Sequence, residues 1–258
     1  EQIGDGLFEF KFLSLFFADA ALEGTMVDGR RIEGAPFKDV ILKMTRILNN
    51  QSDTGLKELK KPFELGANYL SEFQNLIKAR TEGEYVFSVK VDSLNSSLFT
   101  TVKGGQEVAL PSGWVGHAII LNLSLSVDSG HFDLHVFNLG AGNEYHDRIA
   151  DPSGTYPFLM KPWMSFVRIP FDLVLEDSFF ILGLMNLKDP KMVNSSMDDA
   201  DYFYRQFLGN FSKYRVVDDK RQFYVVKQRS GSCTVAACLA RIMYAFGSVK
   251  EYTRARIQ

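Results

Sequence analysis

The chain has 258 residues, of which 46% are hydrophobic and 13% aromatic, with 22 Phe; that length and apolar content suit one large domain, or one domain with an extension, and exclude a disordered chain. A formal net charge of -2 argues against a nucleic-acid partner held by phosphate neutralisation. No segment combines the length and apolarity of a membrane span: Phe8 to Leu22 is interrupted by Glu9, Lys11 and Asp19, and 164–187 by Arg168, Asp172, Glu176 and Asp177.

The chain begins with Glu1, as a trimmed or processed chain would, and neither of these apolar segments reads as a signal peptide. Residues 7–22 read as an apolar helix. In 37–49, Val40, Ile41, Met44, Ile47 and Leu48 recur at helical spacing, and in 63–80 Leu65, Tyr69, Phe73, Leu76 and Ile77 do the same after Pro62. Residues 1–82 are therefore expected to form a helical N-terminal region, and 83–258 a second domain. Residues 84–91, EYVFSVKV, are rich in β-branched and aromatic side chains and predict a strand. A hairpin is predicted over 117–138, turning at Asp128-Ser129-Gly130. Beyond it, 164–169 and 221–228 read as strands, 179–185 as a central strand or a buried helix, 188–200 as a polar loop, 201–214 as a helix and 233–246 as a helix ended by Gly247.

Within the hairpin, period-two alternation puts His117 on one face with Ile119, Leu121, Leu123 and Leu125, and Asn138 on one face with Phe132, Leu134 and Val136. A short turn makes the strands neighbours, which brings Asn138 within reach of His117. Far downstream, Gln228, Ser230, Gly231 and Ser232 lead into Cys233 at the start of the small-residue helix. Ser232 suits the N-cap, and a cysteine in the first turn sits at the positive end of the helix dipole, a position that favours thiolate. Gly231 permits a tight turn, and the Gln228 amide with the Cys233 backbone N–H supplies donors for a developing oxyanion. Base, orienter, oxyanion donor and nucleophile are the parts of a thiol-nucleophile site.

The order histidine, amide one strand later, glutamine, then cysteine at a helix start resembles the ubiquitin-like-protein protease superfamily, which includes SUMO proteases, adenoviral protease, bacterial effector deubiquitinases and YopJ-type acetyltransferases. The resemblance covers the C-terminal half to two-thirds of the chain. It implies an α+β fold with a papain-like cysteine protease core, a mixed sheet and a nucleophile helix. It also implies that His117 is the base, Asn138 the orienter, Gln228 the oxyanion donor and Cys233 the nucleophile. The substrate it implies is a bond after the C-terminal tail of ubiquitin or a ubiquitin-like protein, with Trp114, Ser230, Gly231 and Ser232 lining the channel for that tail. The family pattern has Trp directly after the histidine and Gly after the cysteine; Ala118 and Thr234 stand there in this chain, and Trp114 lies just upstream.

Cys233 and Cys238 are the two cysteines, and five positions apart on a helix, at about 100° per residue, they point to different sides and do not bridge. A free thiol predicts a reducing, cytoplasmic compartment, and the resemblance to bacterial effectors implies delivery into a host cell. Cys238 reads as structural. His146, in a glycine-rich loop, is the second candidate for the base. His131, Asp133 and His135 share a strand face, read as solvated and not as a metal site. No cofactor or metal is expected. The rival readings are an acetyltransferase using the same residues, which would need a basic cofactor pocket, and an interaction domain without catalysis.

Overall fold

Apolar stripes at helical spacing build the layers that flank a central sheet in the computed structural model, which describes residues 26–27, 30–31, 37–49, 57–80, 83–114, 117–186, 199–217, 223–226 and 233–246. Helix α1 (Phe37–Asn49) buries Val40, Ile41, Met44 and Leu48, and α2 (Lys60–Ala79) buries Phe63, Leu70, Phe73 and Leu76. Residues 84–91, expected as a strand, instead open α3 (Glu84–Lys103). The buried set Val91, Leu94, Asn95, Leu98, Phe99 and Val102 has the three-and-four spacing of a helix face. That stripe outweighs the local strand propensity of Tyr85, Val86, Phe87 and Val89.

Five strands follow: β1 (Val108–Trp114), β2 (His117–Leu125), β3 (His131–Phe137), β4 (Trp163–Pro170) and β5 (Arg215–Val216). They lie side by side in chain order, and each pair is antiparallel. The fold class is α+β. The mixed sheet expected from the sequence is corrected, since strands that neighbour one another in chain order return antiparallel and need no crossover helix. Strand β1 was hidden in the sequence by Pro111 and Gly113. It is a sheet edge, where a proline can sit.

The 117–138 hairpin forms as predicted, and its register sets Ile120 opposite Phe137 and Leu125 opposite Phe132. Residues 179–186 resolve as a helix, α4 (Phe179–Asn186), and 202–214 as one π-helical and one 3₁₀ turn segment. Of the strand expected over 221–228, the described part pairs Val225 with Met160 through two backbone hydrogen bonds of 2.9 Å. The helix expected over 7–22 and the loop over 188–198 lie outside the described residues. The last helix, α5 (Cys233–Phe246), is the one predicted.

Both sheet faces are covered. Ile119, Leu121, Leu123, Phe132, Leu134 and Val136 face a core shared with α3, α4 and the 202–214 segment. Ala109, Ile120 and Phe137 face a second core with α1, Phe63 of α2 and residues 236–242 of α5. The boundary drawn at 82/83 therefore cuts through shared cores, because α1 and α2 pack on the same sheet as α5.

The strand face expected to be solvated is also corrected. His135 and Asn122 are buried under α5, where the Arg241 Nε–H donates to Asn122 Oδ1 at 2.7 Å and the Tyr244 hydroxyl lies 3.0 Å from His135 Nε2. Arg241 also pairs with Glu107. Among the described residues no group of three His, Cys, Asp or Glu side chains is placed to hold a metal ion, and no helix is long and apolar enough to cross a membrane.

Candidate active site

The antiparallel register of β2 and β3 brings the first residue of one strand to the residue just past the other. His117 Nε2 and Asn138 Oδ1 are 2.8 Å apart. An amide oxygen only accepts, so the imidazole donates its Nε2–H. The orientation of the amide follows from two backbone groups: Gly140 N–H donates to Asn138 Oδ1 at 2.8 Å, and Asn138 Nδ2–H donates to the Ala141 carbonyl at 2.6 Å. A flipped amide would face donor to donor and acceptor to acceptor. In neutral His117 the proton is on Nε2, and Nδ1 is the basic nitrogen.

The walls around the imidazole are close. The Trp114 ring lies 4.8 Å from the His117 ring between centroids and 5.8 Å from Phe203. With 9% exposure it is a wall of the histidine pocket packed into the aromatic core. On another side, a Cβ added at Gly140 would come within 2.3 Å of His117 Cε1, so the loop closes on the ring only because residue 140 has no side chain. Gly142, at φ 79°, makes the same close approach to Tyr204, with an added Cβ falling 2.5 Å from its ring.

Cys233 is the first residue of α5 and is half-buried. Helix α5 runs along β2 in the same sense as the strand. Its late residues Arg241 and Tyr244 sit at Asn122 and His135, and Ala245 and Phe246 line a cavity with Ser124 and Asp133, at the turn end of the hairpin. Eight residues before Arg241, at about 1.5 Å per residue, the helix begins towards the opposite end of the sheet, the end that carries His117 and Asn138. Alternation puts His117 on the face of β2 away from α5. Cys238 is fully buried among Ala237, Leu239 and Ala240, and burial pushes its thiol well above the usual range.

Gln228, Ser230, Gly231 and Ser232 lie outside the described residues. His146, the second candidate base, is 3% exposed, with both ring nitrogens engaged: Nδ1 lies 3.0 Å from the Lys161 carbonyl and Nε2 2.9 Å from the Tyr204 hydroxyl. Burial above all, with Arg215 adding to it, lowers its pKa to about 4. It is a neutral, bonded core histidine. Tyr204 also accepts from Asn138 Nδ2 at 2.9 Å. No local pattern points to Tyr204, 66 residues from Asn138, whereas Gly140 stands in a Leu-Gly-Ala-Gly-Asn run directly after Asn138, the signal for a tight loop beside the pair.

No family model matches the chain, and no curated protein matches it.

Proposed function

We propose that the protein is a thiol hydrolase with a papain-like core, in which Cys233 is the nucleophile, His117 the base and Asn138 its orienter. The observation that carries the reading is the 2.8 Å His117–Asn138 pair, at the end of the sheet towards which the Cys233 helix begins. Asn138 fixes the Nε2–H tautomer and so turns Nδ1 into the proton acceptor. The Cys233 sulfur, having given its proton to that nitrogen, attacks a substrate carbonyl carbon. The C–N bond then breaks as the imidazolium returns the proton to the leaving amine, leaving a thioester. Water, deprotonated by His117, cleaves the C–S bond and restores the thiol.

The substrate we assign is the peptide or isopeptide bond after the C-terminal tail of ubiquitin or a ubiquitin-like protein. This rests on the order His117, Asn138, Gln228, Cys233, with Ser230, Gly231 and Ser232 before the nucleophile. The resemblance that suggests it also suggests a bacterial effector acting in a host cytoplasm.

The test is covalent labelling by ubiquitin and ubiquitin-like probes that end in an electrophile. The label is expected on Cys233, retained in Cys238→Ser, absent in Cys233→Ser and slowed about 10²-fold or more in His117→Ala. Labelling by no probe, together with acetyl transfer from acetyl-CoA through Cys233, would replace the protease with the acetyltransferase.

A further inference from the structure

We infer that Tyr204 and His146 are positioning residues for the His117 base, acting through the Asn138 amide. The inference rests on the reading of His117 as the base. The direction of every proton in the chain follows from one end that has no choice. The Lys161 carbonyl 3.0 Å from His146 Nδ1 only accepts, so Nδ1 carries the His146 proton. Neutral His146 then has a bare Nε2, which accepts from the Tyr204 hydroxyl 2.9 Å away. With its proton committed there, the Tyr204 oxygen is an acceptor towards Asn138 Nδ2, again at 2.9 Å. Asn138 Oδ1 is thereby the atom left to accept from His117 Nε2. Four groups from three separate chain segments, 138–146, Lys161 and Tyr204, thus set which nitrogen of His117 is basic.

The surroundings hold this chain rigidly and dry. Tyr204 is 7% exposed and His146 3%. The Tyr204 ring stacks on Tyr145 at 4.6 Å and 12°, meets Trp114 edge-on at 6.4 Å, and leaves no room for a side chain at Gly142. Burial pushes the Tyr204 phenol up, so it remains a donor, and burial keeps His146 neutral. Every member is satisfied, the condition under which a buried polar network specifies one arrangement.

The consequence reaches the chemistry only through geometry. Removing the Tyr204 hydroxyl strands one Asn138 N–H and the His146 Nε2 in a buried site, and leaves the amide held by Gly140 N–H and the Ala141 carbonyl alone. Tyr204→Phe is expected to slow Cys233 labelling about tenfold and to change its pH profile. In ¹⁵N-resolved NMR the slowly exchanging His117 Nε2–H signal is expected to broaden or vanish. His146→Leu should do the same, while His146→Gln, whose amide can accept from Tyr204 and donate to the Lys161 carbonyl, should restore both. A packing role alone would lower the melting temperature and leave the ring-proton signal and the pH profile as in the unsubstituted protein, and that result overturns the inference. If no probe labels the unsubstituted protein, the hydrolase reading fails, and the His117 Nε2–H signal in the three variants still decides the network by itself.

Discussion

A histidine buried as the neutral form makes the protein acid-sensitive at one residue. His146 has a pKa lowered to about 4 in the fold, against 6.5 as its ordinary value. The folded state therefore binds this proton later than the unfolded one. The stabilisation is complete above the unfolded value and is lost as the pH falls towards the folded value. Over that window the unfolded chain gains a proton that the native protein refuses, and the loss amounts to about 3 kcal/mol. Urea unfolding is expected to show a midpoint that falls between about pH 6.5 and 4.5, with a flatter slope in His146→Gln. Equal slopes in the two proteins would remove His146 as the cause. The same residue marks the limit of reading a site from sequence. His117 and Asn138 were legible, because period two and a short turn are local rules that fix which residues meet. The neutral role of His146 was not, because it depends on Lys161 and Tyr204, which no local pattern ties to it.

Between elements, α2 lies close enough on β1 at Gly66 to leave no room for a side chain. A Cβ at Gly66 would lie 1.8 Å from the Ala109 carbonyl oxygen and 3.2 Å from Pro111 Cδ. Two effects oppose one another in Gly66→Ala. Alanine gains about 1 kcal/mol of helix propensity, whereas forcing an atom into backbone that has nowhere to move costs about 1–3 kcal/mol or more. The contact is with main chain, so the clash wins. The variant is expected to unfold at lower urea concentration, with an unchanged denaturant slope; a more stable variant would show that α2 can slide on the sheet. Elements were legible to the extent that one period ruled a long enough stretch. Helices α1, α2 and α5 and the β2–β3 hairpin followed from such stretches. In α3 the first eight residues speak for a strand, and only the stripe from Val91 to Val102 reveals the helix. The polar side of the hairpin misled for a different reason: Asn122 and His135 are covered by α5 through Arg241 and Tyr244, 119 and 109 residues away.

For the whole molecule, the question is whether the helices before residue 82 form a unit that the sheet can do without. Leu48, Leu59 and Phe63 share one apolar cluster with Ile120, Phe137, Trp163 and Ala237, and Tyr69, Phe73 and Leu76 share the other with Leu98, Ile119 and Leu121. Tyr69 adds a hydrogen bond across the layers, its hydroxyl 2.8 Å from Thr101 Oγ1. Both sheet faces thus draw on α1 or α2, and removing them would bare apolar surface at about 25 cal/mol per Å². A stability of about 5–15 kcal/mol, usual for a domain, does not survive the loss of several such side chains. Calorimetry of the full chain is expected to show one transition whose van't Hoff and calorimetric enthalpies agree. A chain begun at residue 83 is expected not to fold. Two separate transitions, or a folded fragment from 83 onward, would mean that the Cys233 helix and the His117 strand are held by the sheet alone.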